Sequence, residues 1–212
     1  MAASDQEILS DVHNYNIDFN NRELYLHGYV TNTDEDPGVD YRMASSTIKN
    51  VRTLDRVSDK PILIHMHSIG GNWNDGMAIY DVISKCRSHV TILVYGQAES
   101  MSSIILQAAD HRVMMPHSYF MCHFGSAIYE GSYLDVQNMA KFETTITQAM
   151  LEIYTKSAIN GKFFKDAEYS ESRVRSYIKN KMKNGDWYMT SDEAILYGFT
   201  DQILSKGIDT LK

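Results

Sequence analysis

Between Pro61 and His123 the apolar residues arrive in short runs, separated by segments of helical or turn character. Pro61-Ile-Leu-Ile-His-Met-His67 is nearly continuous and stops at Gly70-Gly71. A run of that length without polar alternation predicts a strand buried on both faces. A helix is predicted from Asn74 to Cys86, with Met77, Tyr80 and Ile83 on one stripe. Val90 to Tyr95 reads as the next strand, Ser100 to Ala109 as a helix of small and apolar residues. Arg112 to Met115 and Tyr119 to His123 read as two further strands. This βαβαβ rhythm predicts an α/β fold with a largely parallel sheet.

The flanks are less regular. Met1 to Asn21 is polar and rich in Asp and Asn, which predicts a loose arm or a short hairpin. Glu23 to Val30 alternates as a strand does, and Asn32 to Val39 is a turn or loop punctuated by Pro37-Gly38. Ser45 to Val57 is a predicted helix. From Ser132 to Ser157, Met139, Phe142, Ile146, Met150 and Ile153 recur at steps of three and four, so a long helix has one apolar face. It is longer than packing on one small sheet requires. Periodicity alone balances a core helix against one that projects towards another subunit. Phe163 to Asn184 is charged and weakly patterned, as in a surface helix with loops. Thr190 to Gly198 carries helix start and stop signals, and Asp201 to Leu204 is a last strand. The expected organisation is an arm over 1–21 and one domain over 22–212, with a handle region near 126–185.

Composition narrows the function classes. Hydrophobic residues make up 43% of the 212 positions and charged residues 22%, as in soluble globular proteins. The formal net charge is -7 and no Lys/Arg block appears, so nucleic acid is not an expected partner. No run has the apolar length of a membrane span. The opening residues MAASDQEILSD lack the basic start and apolar run of a secretory signal. Cys86 and Cys122 form no metal-type or redox pair. A cytoplasmic, reducing location is the expectation.

In an open α/β sheet, ligands bind beyond the carboxyl ends of the strands. Two such ends carry chemistry. One is Ser68-Ile69-Gly70-Gly71, the other Gly96-Gln97-Ala98-Glu99-Ser100-Met101. Ser100 stands where a strand gives way to a helix, with free N–H groups nearby. Acyl transfer needs such donors for its oxyanion. Met101 N–H is one candidate, and Gly71 N–H the other, since paired glycines allow close approach of a backbone. Each feature also has a plainer reading: Ser100 as a helix cap, the glycines as a turn. A serine nucleophile needs a base. His65 and His67 share one strand face, but no third metal ligand accompanies them, so they read as structural or surface residues. His111 and His117 fall in connecting turns. His123 ends a strand at the sheet edge, and Cys122 beside it faces the other way, into the core. Asp186, next to Trp187 and Tyr188 and leading into a helix, is a candidate third member, although spacing does not select it over other acids.

At these residues the chain resembles the ClpP family, the proteolytic subunits of Clp proteases. Ser68-Ile-Gly-Gly71 is similar to that family's Ser-Pro-Gly-Gly turn, and Gly76-Met-Ala-Ile-Tyr-Asp81 to its helix start. Gly96-Gln-Ala-Glu-Ser-Met101 resembles its Gly-Gln-Ala-Ala-Ser-Met nucleophile segment, and Phe120-Met-Cys-His123 its Val-Met-Ile-His segment. Asp186-Trp-Tyr-Met-Thr190, Glu193-Ala194 and Tyr197-Gly198 resemble its tail. The resemblance spans roughly residues 22 to 204. It departs at Ile69 for proline, Glu99 for alanine and Phe124-Gly125 for Gln-Pro. The loop at 31–41 and the segment between His123 and Asp186 are longer, with the extra residues placed within 160–183, and the N-terminal arm does not match the family's axial loops. A carboxylate at 99 facing the site would favour protonated His123; one pointing away would not.

The resemblance implies a crotonase/ClpP-like α/β fold with a β-α-β spiral core and a projecting handle helix. It implies Ser100 as nucleophile, His123 as base, Asp186 as orienting acid, and Gly71 and Met101 N–H as the oxyanion hole. The implied activity is ATP-independent peptide-bond hydrolysis by a serine endopeptidase, with no cofactor and no metal. The implied assembly is a homo-oligomeric ring, in the family two stacked heptamers, fed unfolded polypeptide by an AAA+ unfoldase. Three other readings stand beside it: a crotonase-fold enzyme acting on an acyl thioester, an inactive scaffold subunit, and a capsid-processing protease with the same triad.

Overall fold

The fold is that of a computed structural model, in which residues 4–27 and 38–211 are described. A helix, α1 (Asp5–Tyr15), comes first. Ser4 accepts from the Glu7 N–H while the Glu7 carboxylate accepts from the Ser4 N–H, so two orphan donors are satisfied. β1 (Ile17–Asp18) then pairs antiparallel with β2 (Glu23–His27). The expected loose arm or short hairpin is thus a capped helix followed by a hairpin strand. No α1 residue is buried, which explains the missing apolar stripe. The expected strand residues 28–30 and the turn over 32–37 lie outside the described residues, as do residues 1–3.

α2 (Tyr41–Val57) starts ahead of the expected Ser45, because the Asp40 side chain accepts from the Met43 N–H and caps it. β3 (Ile62–Ser68), α3 (Trp73–Ser84), β4 (Val90–Glu99), α4 (Met101–Leu106), β5 (His111–Met114) and β6 (Tyr119–Cys122) follow the apolar rhythm. β4 runs past the expected Tyr95 because it has two successive partners along one edge. Thr91 to Val94 pair with β5, and Gln97 to Glu99 pair with β6. Next come α5 (Tyr133–Ala158), α6 (Lys162–Asp166), α7 (Glu171–Lys183), β7 (Trp187–Thr190), α8 (Ser191–Tyr197) and β8 (Gln202–Ile203).

The eight-stranded sheet runs β1-β2-β3-β4-β5-β8, with β6 and β7 continuing from the far end of β4. Its central pairings are parallel; only β1–β2 and β6–β7 are antiparallel. Ile62, Ile64, Met66, Ile92 and Val94 face the main core, and Leu63, Leu93, Val113 and Leu204 form a smaller one on the other face. Each such side chain contributes about 1.5–3 kcal/mol relative to exposure.

α5 has 26 residues, a rod of about 39 Å. Met150, Leu151, Tyr154, Thr155 and Ala158 bury its second half in the core, while Tyr133, Leu134, Met139 and Phe142 leave its first half exposed. The helix is therefore core at one end and exposed at the other. α7 departs from the expected surface helix. Val174, Ile178 and Met182, at steps of four, are buried against Phe163, Phe164, Tyr169, Tyr177 and Trp187. Among the described residues no helix is long and apolar enough to cross a membrane.

Candidate active site

The helix after β4 begins at Met101, and Ser100 stands just outside it with φ 52° and ψ −124°. A residue with a Cβ occupies that region only when its surroundings enforce it. Here three bonds do so. The Ser100 N–H donates to the Met121 carbonyl at 2.9 Å, and its own carbonyl accepts from the Ser103 N–H at 3.0 Å and the Ser103 hydroxyl at 2.6 Å. Ser103 has then used its hydrogen, so Tyr154 is the donor in their 2.6 Å hydroxyl pair, which ties the elbow to α5. Ser100 makes no capping hydrogen bond, so the plainer cap reading does not hold. The turn instead presents its hydroxyl above the sheet.

Strand register brings the other two side chains in. β6 and β7 pair antiparallel with Met121 opposite Tyr188 and Cys122 opposite Trp187, so the next step sets His123 opposite Asp186. Asp186 thus leads into a strand, not directly into a helix. His123 Nε2 lies 2.8 Å from Ser100 Oγ, and His123 Nδ1 lies 3.0 Å from Asp186 Oδ1. A carboxylate only accepts, so Nδ1 carries the hydrogen and Nε2 is left to accept from the serine. The Asp186 side chain is 50% exposed. The shielding comes on its neighbour: Trp187 packs edge-on to Tyr177, Tyr197 and Phe199.

The candidate oxyanion donors share this cleft. Gly71 forms a bridge with Val39, in which the Val39 N–H donates to the Gly70 carbonyl at 2.7 Å and the Asn72 N–H to the Val39 carbonyl at 2.8 Å. Neither bond uses the Gly71 N–H, and Gly71 lines the cleft. Met101 N–H, in the first turn of α4, has no intrahelical acceptor. Gly70 permits the close approach: at φ +92°, a Cβ there would lie 2.7 Å from the Ser100 Cβ and 2.8 Å from the Met101 nitrogen. The Ser102 hydroxyl donates to Ser68 Oγ at 2.7 Å, and Ser68 Oγ accepts from the Gly70 N–H at 3.3 Å. This buried relay locks the glycine turn to the elbow. The relay and Tyr154 escape a search for catalytic residue types; their only signal is the run of hydroxyls inside the apolar Ser100 to Leu106.

Ser100, His123, Gly71 and Met101 line a cleft of about 280 Å³ walled by Trp73, Ile104, Phe124, Ile146 and Met150. Glu99 does not point away from the site. Burial raises its carboxyl above the usual range, repulsion from Asp186 adds to this, and His123 opposes it. Its row runs through Met121 to Tyr188 across β4, β6 and β7. Cys122 is buried, and burial pushes its thiol well up, in keeping with a core residue. His65 is buried between Tyr95 and Glu23, and exposed His67 packs by Gly96. Among the described residues no group of three or more His, Cys, Asp or Glu is arranged to hold a metal ion.

A strained serine between strand and helix, joined through a histidine to an aspartate on a mostly parallel sheet, has the layout of a serine hydrolase. The family description "Clp protease" matches residues 36–207, and the chain belongs to that family. The ATP-dependent Clp protease proteolytic subunit of Deinococcus radiodurans is 28% identical over 171 residues, covering 79% of this chain and 77% of that protein. Proteolytic subunit 1 of Protochlamydia amoebophila is 33% identical over 172 residues, with the same two coverages. A ClpP1 mutant structure from Listeria monocytogenes matches with a TM-score of 0.73 at 19% identity, over 92% of this chain and 96% of that one. The fold is the expected crotonase/ClpP-like α/β fold.

Proposed function

We propose that this chain is a serine endopeptidase subunit of a self-compartmentalised Clp-type protease, with Ser100 as nucleophile, His123 as general base and Asp186 as orienting acid. The carrying observation is the unbroken hydrogen-bonded chain from Ser100 Oγ through His123 to Asp186. As Ser100 Oγ attacks the scissile carbonyl, its proton passes to His123 Nε2. Asp186 holds the imidazole in the accepting tautomer and stabilises the cation that forms. The amides of Gly71 and Met101 take the oxyanion, each worth roughly 3–4 kcal/mol in the transition state. His123 then gives its proton to the departing amine, and water releases the acyl group by the same steps in reverse. None of these steps consumes ATP.

The exposed apolar first half of α5 supports association of this chain with copies of itself in rings, for which family membership supplies the precedent. Unfolded polypeptide is the substrate class, and an AAA+ unfoldase is the partner that the resemblance supplies. Replacing Ser100 with alanine tests the assignment. Peptide cleavage is expected to vanish while the particle size in sedimentation stays the same; undiminished cleavage would refute the nucleophile.

A further inference from the structure

Apolar and polar groups share the cleft wall beside Ser100, and one carboxylate stands in it. Trp73, Ile104, Ile146 and Met150 supply the apolar surface, and Glu143 lines the same space. Among the described residues no Lys or Arg lines it. Glu143, Ile146 and Met150 are spaced three and four apart on α5, so the helix presents them on one face. Glu143 is half-buried. The Tyr129 hydroxyl, from the segment that precedes α5, is shielded from solvent and lies against this carboxylate, short of full hydrogen-bond geometry. The contact pushes the Tyr129 hydroxyl up to about 12.

We propose that Glu143 gives the enzyme a preference for Lys or Arg at the residue that donates the scissile carbonyl. The proposal rests on the reading of Ser100 as nucleophile. With that carbonyl against the Gly71 and Met101 amides, the side chain just before the cut is the one next to the cleft. A long basic side chain lays its methylenes along Ile104, Ile146 and Met150 and brings its charge to Glu143. An acidic side chain is repelled. A neutral apolar one fills the walls but leaves the carboxylate without a counter-charge in partly desolvated surroundings. Specificity is the difference between these cases, and Glu143 supplies both its attractive and its repulsive part.

Two peptidyl phosphonate probes, identical except for lysine or norleucine at that residue, measure the difference as rates of Ser100 adduct formation by intact mass. The native chain is expected to react about tenfold faster with the lysine probe. In Glu143→Gln, which keeps the side-chain size, that ratio is expected to fall to about one. The ratio is internal to each protein, so lost folding does not imitate the effect. A native ratio of one or less, or the same ratio in both proteins, overturns the preference while leaving the nucleophile standing. Failure of both probes to modify Ser100 overturns the catalytic reading and this one with it.

Discussion

Behind the Ser100 elbow, Ser102, Ser103, Ile105 and Leu106 are buried, whereas Tyr133, Leu134 and Phe142 on α5 are 74%, 66% and 59% exposed. The two regions share apolar content and differ in what satisfies it. At the elbow every demand is met within the chain: strained backbone by the Met121 and Ser103 bonds, buried hydroxyls by one another. Along outer α5 a large apolar face is left to water, a cost that a single folded chain does not need to carry. On the proposed function, catalytic geometry belongs to the subunit and the handle to an assembly. The two should come apart under mutation.

The largest effect is expected at the site. Asp186→Asn replaces the acceptor-only carboxylate that fixes the histidine tautomer with a neutral amide that can also donate, and kcat/KM for peptide cleavage is expected to fall about 10³- to 10⁴-fold. Particle size in sedimentation should not change; loss of assembly would show that the two regions are coupled. The converse variant, Leu134→Asp with Phe142→Glu, is expected to turn a ring-sized particle into a monomer with native far-UV circular dichroism. A native chain already monomeric at micromolar concentration would remove the handle's role.

A smaller effect probes the rigid body that carries the elbow. Asp55 accepts from the Arg87 and Ser88 N–H groups at 2.9 and 3.0 Å and from the Ser88 hydroxyl at 3.2 Å, pinning α2 to the entry of β4. Burial pushes its carboxyl up, but these donors and the Arg87 charge outweigh burial and hold it at about 2. A lowered folded pKa means that the stabilisation is present above the unfolded value, near ~4, and fades as pH falls towards the folded one. Asp55→Asn is expected to cost roughly 1–3 kcal/mol at neutral pH. That gap in urea unfolding should narrow as pH drops from ~4 towards ~2; a gap independent of pH would contradict the charged role.

The contrast between regions also marks what the sequence makes legible. The position of Ser100 at a strand-to-helix turn can be read directly, because a strand-length apolar run breaks at Gly96 and small helical residues follow, but the pattern leaves cap and nucleophile both open. Asp186 cannot be read from spacing: it meets His123 across 63 positions through antiparallel register, a long-range fact. Family motifs select it where local pattern does not. α7 is obscured because its buried stripe is one residue wide among charges. α1 carries a Ser4–Glu7 capping box in plain view, yet buries nothing and so leaves no periodicity to weigh. Glu99 shows the limit of single-residue reading, since only the β4–β6–β7 row tells which way it faces.

The proposed function has three side chains far apart in the chain act as one nucleophilic unit, and intact mass after treatment with a fluorophosphonate tests that directly. One adduct per chain is expected, on Ser100, absent in Ser100→Ala and strongly slowed when His123 is replaced by alanine. A native, assembled protein that stays unmodified, or takes the adduct on another serine, would contradict it.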